Sequence, residues 1–267
     1  MSKESSIEWT NGTWNPVRGC SKVSPGCKYC YAETFAERFR GVPGHPFEQG
    51  FDLRLVPEKI DEPLAWKTPM RIFVNSMSDL FHEDIPDDYI IQCGITMVQA
   101  NWHQFQILTK RAERMQHLLE GKLAVAAACC HIFFGVSVEN RQHGLPRLHI
   151  LRKTHCQRKF VSFEPLLESV GEPDLQGIDW IIAGGESGQK ARPFNTDWAL
   201  EILASAQKHH VPFFMKQLGT HLSRLAGKKG LKGGDMADFP PALQVRQFPD
   251  EAEASPKSYP GSDVIPQ

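Results

Sequence analysis

Ile132-Phe-Phe-Gly-Val-Ser-Val138 runs directly into Glu139-Asn140. A stretch this rich in β-branched and aromatic side chains, without a charge, reads as a strand buried on both faces, because a half-exposed strand alternates apolar with polar residues. A buried strand that ends in an acid and an amide is the pattern of a parallel sheet whose chemistry gathers beyond its carboxyl ends. The unit recurs in both directions. Ile72-Phe-Val74, Phe105-Gln-Ile-Leu108, Phe160-Val-Ser-Phe163, Trp180-Ile-Ile-Ala183 and Pro212-Phe-Phe-Met215 are further short apolar runs. Between them lie helical spacings: Ile91, Ile95 and Val98 after Pro86-Asp87-Asp88, then Ala112, Met115 and Leu119 stopped by Gly121. Trp198, Ile202, Leu203 and Ala206 follow a cap at Asn195 or Thr196. A strand over Trp14–Arg18 brings the total to about seven, which predicts an α/β fold, a partial or complete TIM-like (βα) barrel with parallel strands.

Residues 1–220 hold all of these units and are expected to be one barrel domain, carrying a Pro/Gly-interrupted insertion over 41–70. Residues 221–267 read as a basic segment followed by an acidic, Pro/Ser-rich tail outside the fold. Thirty basic and thirty-one acidic residues give a net charge of −1, so no global field recruits polyanions. No run approaches the ~18 apolar residues of a membrane span, and a cytoplasmic protein is expected. Seven cysteines, an odd number, suit a reducing compartment better than a disulfide framework. Cys93, Cys129, Cys130 and Cys156 read as small core residues.

The other three, Cys20, Cys27 and Cys30, crowd a Gly/Pro-rich loop before a helical stretch. Three thiols are one short of the four that usually hold an iron–sulfur cluster or a closed zinc site. A cubane held by three cysteines keeps one iron open for a small molecule, whereas zinc needs a fourth ligand, for which His45 is the nearest downstream. Beyond the strands, polar endings follow in order: Asn75-Ser-Met-Ser-Asp79, Thr109-Lys-Arg111, Ser137-Val-Glu-Asn140, Glu164-Pro165 and Gly184-Gly-Glu-Ser-Gly188. Each alone suits a cap or a turn; five in succession beside a thiol loop point to a shared site.

The loop Cys20-x6-Cys27-Lys-Tyr-Cys30 resembles the cluster loop of radical S-adenosylmethionine enzymes, with the aromatic Tyr29 directly before the last cysteine. The order of the later motifs is similar to the spore-photoproduct-lyase-like branch of that superfamily. Closer still, Val-Asn-Ser-Met-Ser-Asp-Leu-Phe, Leu-Thr-Lys-Arg, Gly-Val-Ser-Val-Glu-Asn and Ala-Gly-Gly-Glu-Ser-Gly together resemble an uncharacterised bacterial and phage family known by a three-cysteine motif. The superfamily's usual spacing is Cys-x3-Cys-x2-Cys; here a turn at Ser24-Pro25-Gly26 has to bring Cys20 round. Its Gly-Gly-Glu segment follows the second strand, where this chain has Asn75–Asp79 instead, while Gly184-Gly185-Glu186 follows the sixth.

The resemblance implies a [4Fe-4S] cluster on Cys20, Cys27 and Cys30, S-adenosyl-L-methionine as cofactor and an electron donor as partner. It implies further that Asn75, Ser76, Ser78 and Asp79 lie at the cofactor's amino group, with Ser78 or Asp79 accepting from it. Lys110 would neutralise the carboxylate, and Ser137 and Glu139 would reach the ribose. Glu164, Glu186 and Arg192 are left for the substrate or the adenine side. The substrate stays open. Residues 141–159 carry six Lys/Arg and 216–232 five, neither with an acid, so nucleic acid is one expected partner and a solvated face the plainer reading. A binding module stabilised by zinc or a cluster, without turnover, explains the cysteines equally well but not the polar strand ends. A hydrolase lacks a Gly-x-Ser-x-Gly nucleophile.

Overall fold

The structure is a computed structural model that describes residues 5–228 and 232–249. In chain order its elements are β1 (Gly12–Trp14), β2 (Val17–Arg18), α1 (Tyr31–Ala36), β3 (Arg54–Leu55), β4 (Arg71–Val74) and α2 (Asp87–Gln99). Then come β5 (Gln104–Thr109), α3 (Ala112–Leu119), α4 (Ala124–Ala127), β6 (Ile132–Ser137), α5 (Arg141–Lys153) and β7 (Arg158–Phe163). The last are β8 (Trp180–Gly184), α6 (Thr196–Lys208), β9 (Phe213–Gln217) and α7 (Thr220–Leu225). Seven strands form one sheet in the order β1-β4-β5-β6-β7-β8-β9, each pair parallel. β1 and β9 each have a single neighbour, so the sheet curls into a half barrel, the partial TIM-like barrel expected.

Successive side chains point to opposite faces of a strand, and both faces here are buried. Ile72, Val74, Phe105, Ile107, Phe134, Val136, Val161 and Phe163 face outward into the main core with the helices. Phe73, Phe133, Phe160, Trp180, Ile182 and Phe214 face inward and close on Trp9, a separate aromatic layer across the middle of the half barrel. Trp9 reaches that layer because the chain before β1 folds inside the sheet; its ring centroid lies 4.7 Å from that of Phe73 and 6.1 Å from that of Trp180.

Three expectations need correction. The strand predicted over Trp14–Arg18 is two, since β1 ends at Trp14 and β2 pairs antiparallel with β3. Pro16 has no N–H to give the ladder, and Asn15 turns its Oδ1 to accept from Ser76 Oγ and Met77 N. The chain after residue 220 does not wholly leave the fold. Met215 N donates to Val245 O, Gln247 N donates to Phe213 O, and Phe239 and Leu243 are buried in the main core. The tail expected to be disordered lies, from residue 250 on, outside the described residues. Finally, Cys93 and Cys156 are buried as expected, but Cys129 is half-buried and Cys130 exposed, because α4 ends just before them and releases the chain to the surface.

The 41–70 insertion packs beside the thiol loop. Trp14 Nε1 donates to Lys59 O, Arg18 Nη1 donates to Pro46 O, and Phe47 is buried under the Arg18 guanidinium. Gly19, which opens the thiol loop, has φ +79°, and a Cβ there would lie 2.2 Å from Asp52 O, so both conformation and space demand glycine. No helix among the described residues is long and apolar enough to cross a membrane.

Candidate functional site

Carried to the carboxyl ends of the strands, the inward parity selects Asn75, Lys110, Ser137, Glu164 and Lys216 as the next residues after Phe73, Leu108, Gly135, Ser162 and Phe214. All five line a cleft above the aromatic layer. The cleft has two lobes. One, of about 150 Å³, is lined by Cys20, Cys27 and Cys30 together with Ser76, Ser78 and Asp79. The other, of about 240 Å³, is lined by Tyr29, Ser162, Glu164, Glu186, Lys216 and Trp9 among others. Cys30, Tyr31, Lys110 and Ser137 stand where the lobes meet.

The turn expected at Ser24-Pro25-Gly26 is a single 3-10 turn over Pro25–Cys27, and Cys30 stands at the N-cap of α1. That turn brings all three thiols onto one lobe despite the long first spacing. Burial pushes the Cys20 thiol up to about 11, with Asp79 adding to the effect, and burial also raises Cys30. A metal in the lobe is what would return such thiols to thiolates. Among the described residues no three His, Cys, Asp or Glu side chains converge on a single point, as one zinc ion demands. Three cysteines on one lobe match the donor set of a cubane that keeps one iron open. His45 is not with them: its ring stacks on Phe39 at 3.8 Å and its Nδ1 accepts from Phe47 N.

Asp79 is spoken for. Its Oδ1 accepts from Thr109 Oγ1 at 2.7 Å and Phe81 N at 3.0 Å; its Oδ2 accepts from Lys110 N and Arg111 Nη1, each at 3.1 Å. The role at the cofactor's amino group therefore does not fit Asp79, which instead positions the start of the Lys110 backbone. Ser76 and Ser78 fit better. Ser76 Oγ donates to Asn15 Oδ1 and Ser78 Oγ donates to Val17 O, so each hydroxyl has committed its one proton and offers the lobe only lone pairs, suited to a cationic N–H donor. Asn75 has φ 58°, and its Oδ1 accepts from Val17 N while Nδ2 is buried without a partner.

Lys110 is half-buried and takes part in no ion pair among the described residues, as a receiver of a free carboxylate should. Ser137 lines both lobes. Glu139 does not line the cleft: it is fully buried, holds Arg147 at 2.7 Å, and lies under the thiol loop, where a Cβ on Gly26 would meet its side chain at 3.2 Å. Burial raises this carboxyl, yet Lys110, the Ser24 hydroxyl and Arg147 together hold it below its ordinary value. The ribose role expected of Glu139 is thus replaced by support of the loop. Glu164 faces the second lobe, where it accepts from Ser162 Oγ at 3.0 Å and pairs with Lys216 at 3.1 Å.

Two arginines hold the thiol loop. Arg111, at the polar end of β5 and given no role of its own by the sequence, is buried against Asp79 and Glu83, donates to Ser21 Oγ at 2.8 Å and lies 3.6 Å from Cys20 Sγ. Arg192 grips Glu186 through Nε and Nη2, donates from Nη1 to Pro25 O at 3.0 Å, and lies 5.3 Å from the Tyr29 ring centroid. The basic run over 141–159 is largely spent inside the chain: Arg147 pairs with Glu139, Arg152 with Asp174 and Arg158 with Asp179, and Lys159 is buried. In the second run Lys216 pairs with Glu164 and Lys228 with Asp238, whereas Lys232 is exposed at the second lobe.

Residues 4–243 match the family described as a protein of unknown function, DUF5131, and the chain belongs to that family. No curated protein matches. Two solved structures are similar, both of spore photoproduct lyase mutants, one with bound AdoMet and dinucleoside spore photoproduct. Each is 13% identical with a TM-score of 0.48; they cover 78% and 79% of this chain, which spans 64% and 65% of theirs.

Proposed function

Starting from a family whose description states no activity, we propose that this chain is a radical S-adenosylmethionine enzyme. The observation that carries the reading is that Cys20, Cys27 and Cys30, on a loop of the superfamily's type, open onto one lobe whose opposite wall is built from strand ends. Cys20, Cys27 and Cys30 would hold a [4Fe-4S] cluster. Such a cluster, with an open iron and one electron from a donor, supplies reductive cleavage of the bound sulfonium. The chain supplies position. Ser76 and Ser78 present lone pairs to the cofactor's ammonium, Lys110 presents its charge to the carboxylate, and Ser137 stands at the passage between the lobes. The second lobe, with Glu164, Lys216 and Tyr29, is left for the substrate, and the aromatic layer below shuts water out from that side.

Protein purified and reconstituted without oxygen is expected to be brown, to contain about four irons per chain, and, once reduced, to release 5′-deoxyadenosine. Cys27→Ala should abolish the iron absorbance and Cys156→Ala, in the core, should not. Lys110→Gln should keep the iron but weaken cofactor binding about 10–100-fold by calorimetry, the worth of one charge-assisted contact. Retained iron in Cys27→Ala, or loaded protein that neither binds the cofactor nor releases 5′-deoxyadenosine, overturns the reading.

A further inference from the structure

The charges that border the second lobe of the cleft are largely paired with one another. Glu164 holds Lys216 at 3.1 Å and accepts from Ser162 Oγ, and Glu186 is gripped by Arg192. Lys110, shared with the first lobe, is taken by the cofactor's carboxylate in the radical reading, and Lys232 stands exposed. A charged group entering deep into this lobe would have to break one of those pairs, and a buried charge without its partner is strongly unfavourable.

Two uncharged groups that line the same lobe are left without partners among the described residues. Trp9, 2% exposed, has no acceptor for its Nε1–H. Gln217, 3% exposed, donates from Nε2 to Gly185 O at 2.8 Å. That bond fixes the orientation of the amide, because only its nitrogen can serve a carbonyl, so the end without a partner is Oε1, an acceptor. Proteins leave few buried polar groups unpaired, since each has given up water for nothing. A donor and an acceptor that border one cavity define what would complete it: an uncharged group that carries a carbonyl oxygen and an N–H together. The surroundings suit a flat apolar body, with the Trp9 ring, Phe73, Leu108 and Tyr29 in the walls. The end of β8 makes room for the arrangement. A Cβ on Gly184 would lie 2.9 Å from Glu164 Oε1 and 3.4 Å from Gln217 Cγ, so the missing side chain there lets the paired acid and the open amide lie together.

We infer that the second lobe binds a neutral amide on a flat apolar body, its carbonyl accepting from Trp9 Nε1 and its N–H donating to Gln217 Oε1. That this amide belongs to the substrate rests on the radical reading; the binding chemistry does not. A ketone supplies the acceptor without the N–H. A carboxylate supplies acceptors alone and sets its charge against the Gln217 oxygen.

Benzamide is the probe, with acetophenone, which has the same ring and carbonyl but no N–H, and benzoate as matched analogues. Each is titrated into the full chain, with no iron added, while the indole N–H resonances are followed by nitrogen–proton correlation spectroscopy. Loss of one resonance in Trp9→Phe identifies Trp9. Benzamide should move that resonance downfield and saturably, and should bind at least ~10-fold tighter than either analogue, because a site with a buried acceptor rejects the ligand that cannot donate to it. In Gln217→Met the preference for benzamide over acetophenone should vanish, while acetophenone still shifts Trp9. The three probes on the unmutated chain keep the test decisive if that variant misfolds. An unmoved Trp9 resonance, equal affinity for benzamide and acetophenone in the unmutated chain, tightest binding of benzoate, or a preference that survives Gln217→Met in folded protein overturns the proposal. With no iron present these outcomes stand apart from the radical reading, which falls instead on iron content and cofactor binding.

Discussion

The thiol loop is held at its two sides by arginines that work in opposite surroundings. Arg111 has 9% of its side chain exposed and ties the Cys20 side to the ends of β4 and β5 through Asp79 and Thr109. Arg192 has 24% exposed and ties Pro25 and Tyr29 to the connection after β8, where Glu186 follows Gly184 and Gly185. The first bond is built into the sheet; the second bridges two connections across the mouth of the cleft. The loop should accordingly be rigid where it meets the framework and more yielding where it borders the second lobe, the side assigned to the substrate.

The largest expected effect tests the rigid side. Arg111→Gln strands Asp79, itself 9% exposed in its side chain, and should cost about 3–5 kcal/mol in urea unfolding, the penalty of breaking a buried pair from one side. A loss no greater than that of Arg192→Gln would break the comparison. Arg192→Gln should cost less, about 1–2 kcal/mol, since Glu186, though only 5% exposed in its side chain, keeps the Arg192 backbone N–H as a donor and Arg192 itself is already partly solvated. It should raise hydrogen exchange over residues 24–30 while leaving 78–82 unchanged; equal change in both stretches would mean that the loop moves as one body.

A smaller effect lies in acid. Hydrogen bonding to Arg111 holds Glu83 down at about 2, well below the ordinary carboxylate value. A depressed carboxyl adds stability above its unfolded value and loses it as pH falls toward the folded one, so this contribution should disappear between about pH 4.5 and 2. Glu83 is 58% exposed, which keeps its effect on stability slight, and the sharper measurement is its carboxyl carbon shift. In Arg111→Gln that titration should return to the ordinary range; if it does not, Arg111 is not the group that sets it. Smallest of all, Cys130→Ser on the exposed surface should change stability by no more than about 0.5 kcal/mol.

The sheet was legible because its strands are buried on both faces and therefore stand out as uninterrupted apolar runs. Lys110, Ser137 and Glu164 were legible for a related reason: parity along a strand carries past its last apolar residue. Asp79 and Glu139 were misread in role because a carboxylate's task depends on its partners. Thr109 and Arg111 are about thirty residues from Asp79, and the Glu139 side chain is boxed in by Gly26 from the far end of the sheet. Arg192 was hidden further, since its contact at Pro25 lies 167 residues away. Gly233 to Gln247 was not legible as part of the fold because no strand- or helix-length apolar run marks it, and Phe239 and Leu243 anchor it singly.

The aromatic layer gives the molecule a built-in optical gauge. Trp9 is buried at 2% exposure yet lines the second lobe, where a near-ultraviolet-absorbing ligand would lie within energy-transfer range of its indole. Filling that lobe should dim and shift Trp9 emission. With Trp9→Phe as the blank, steady-state fluorescence then reports entry into that lobe before any product has been looked for.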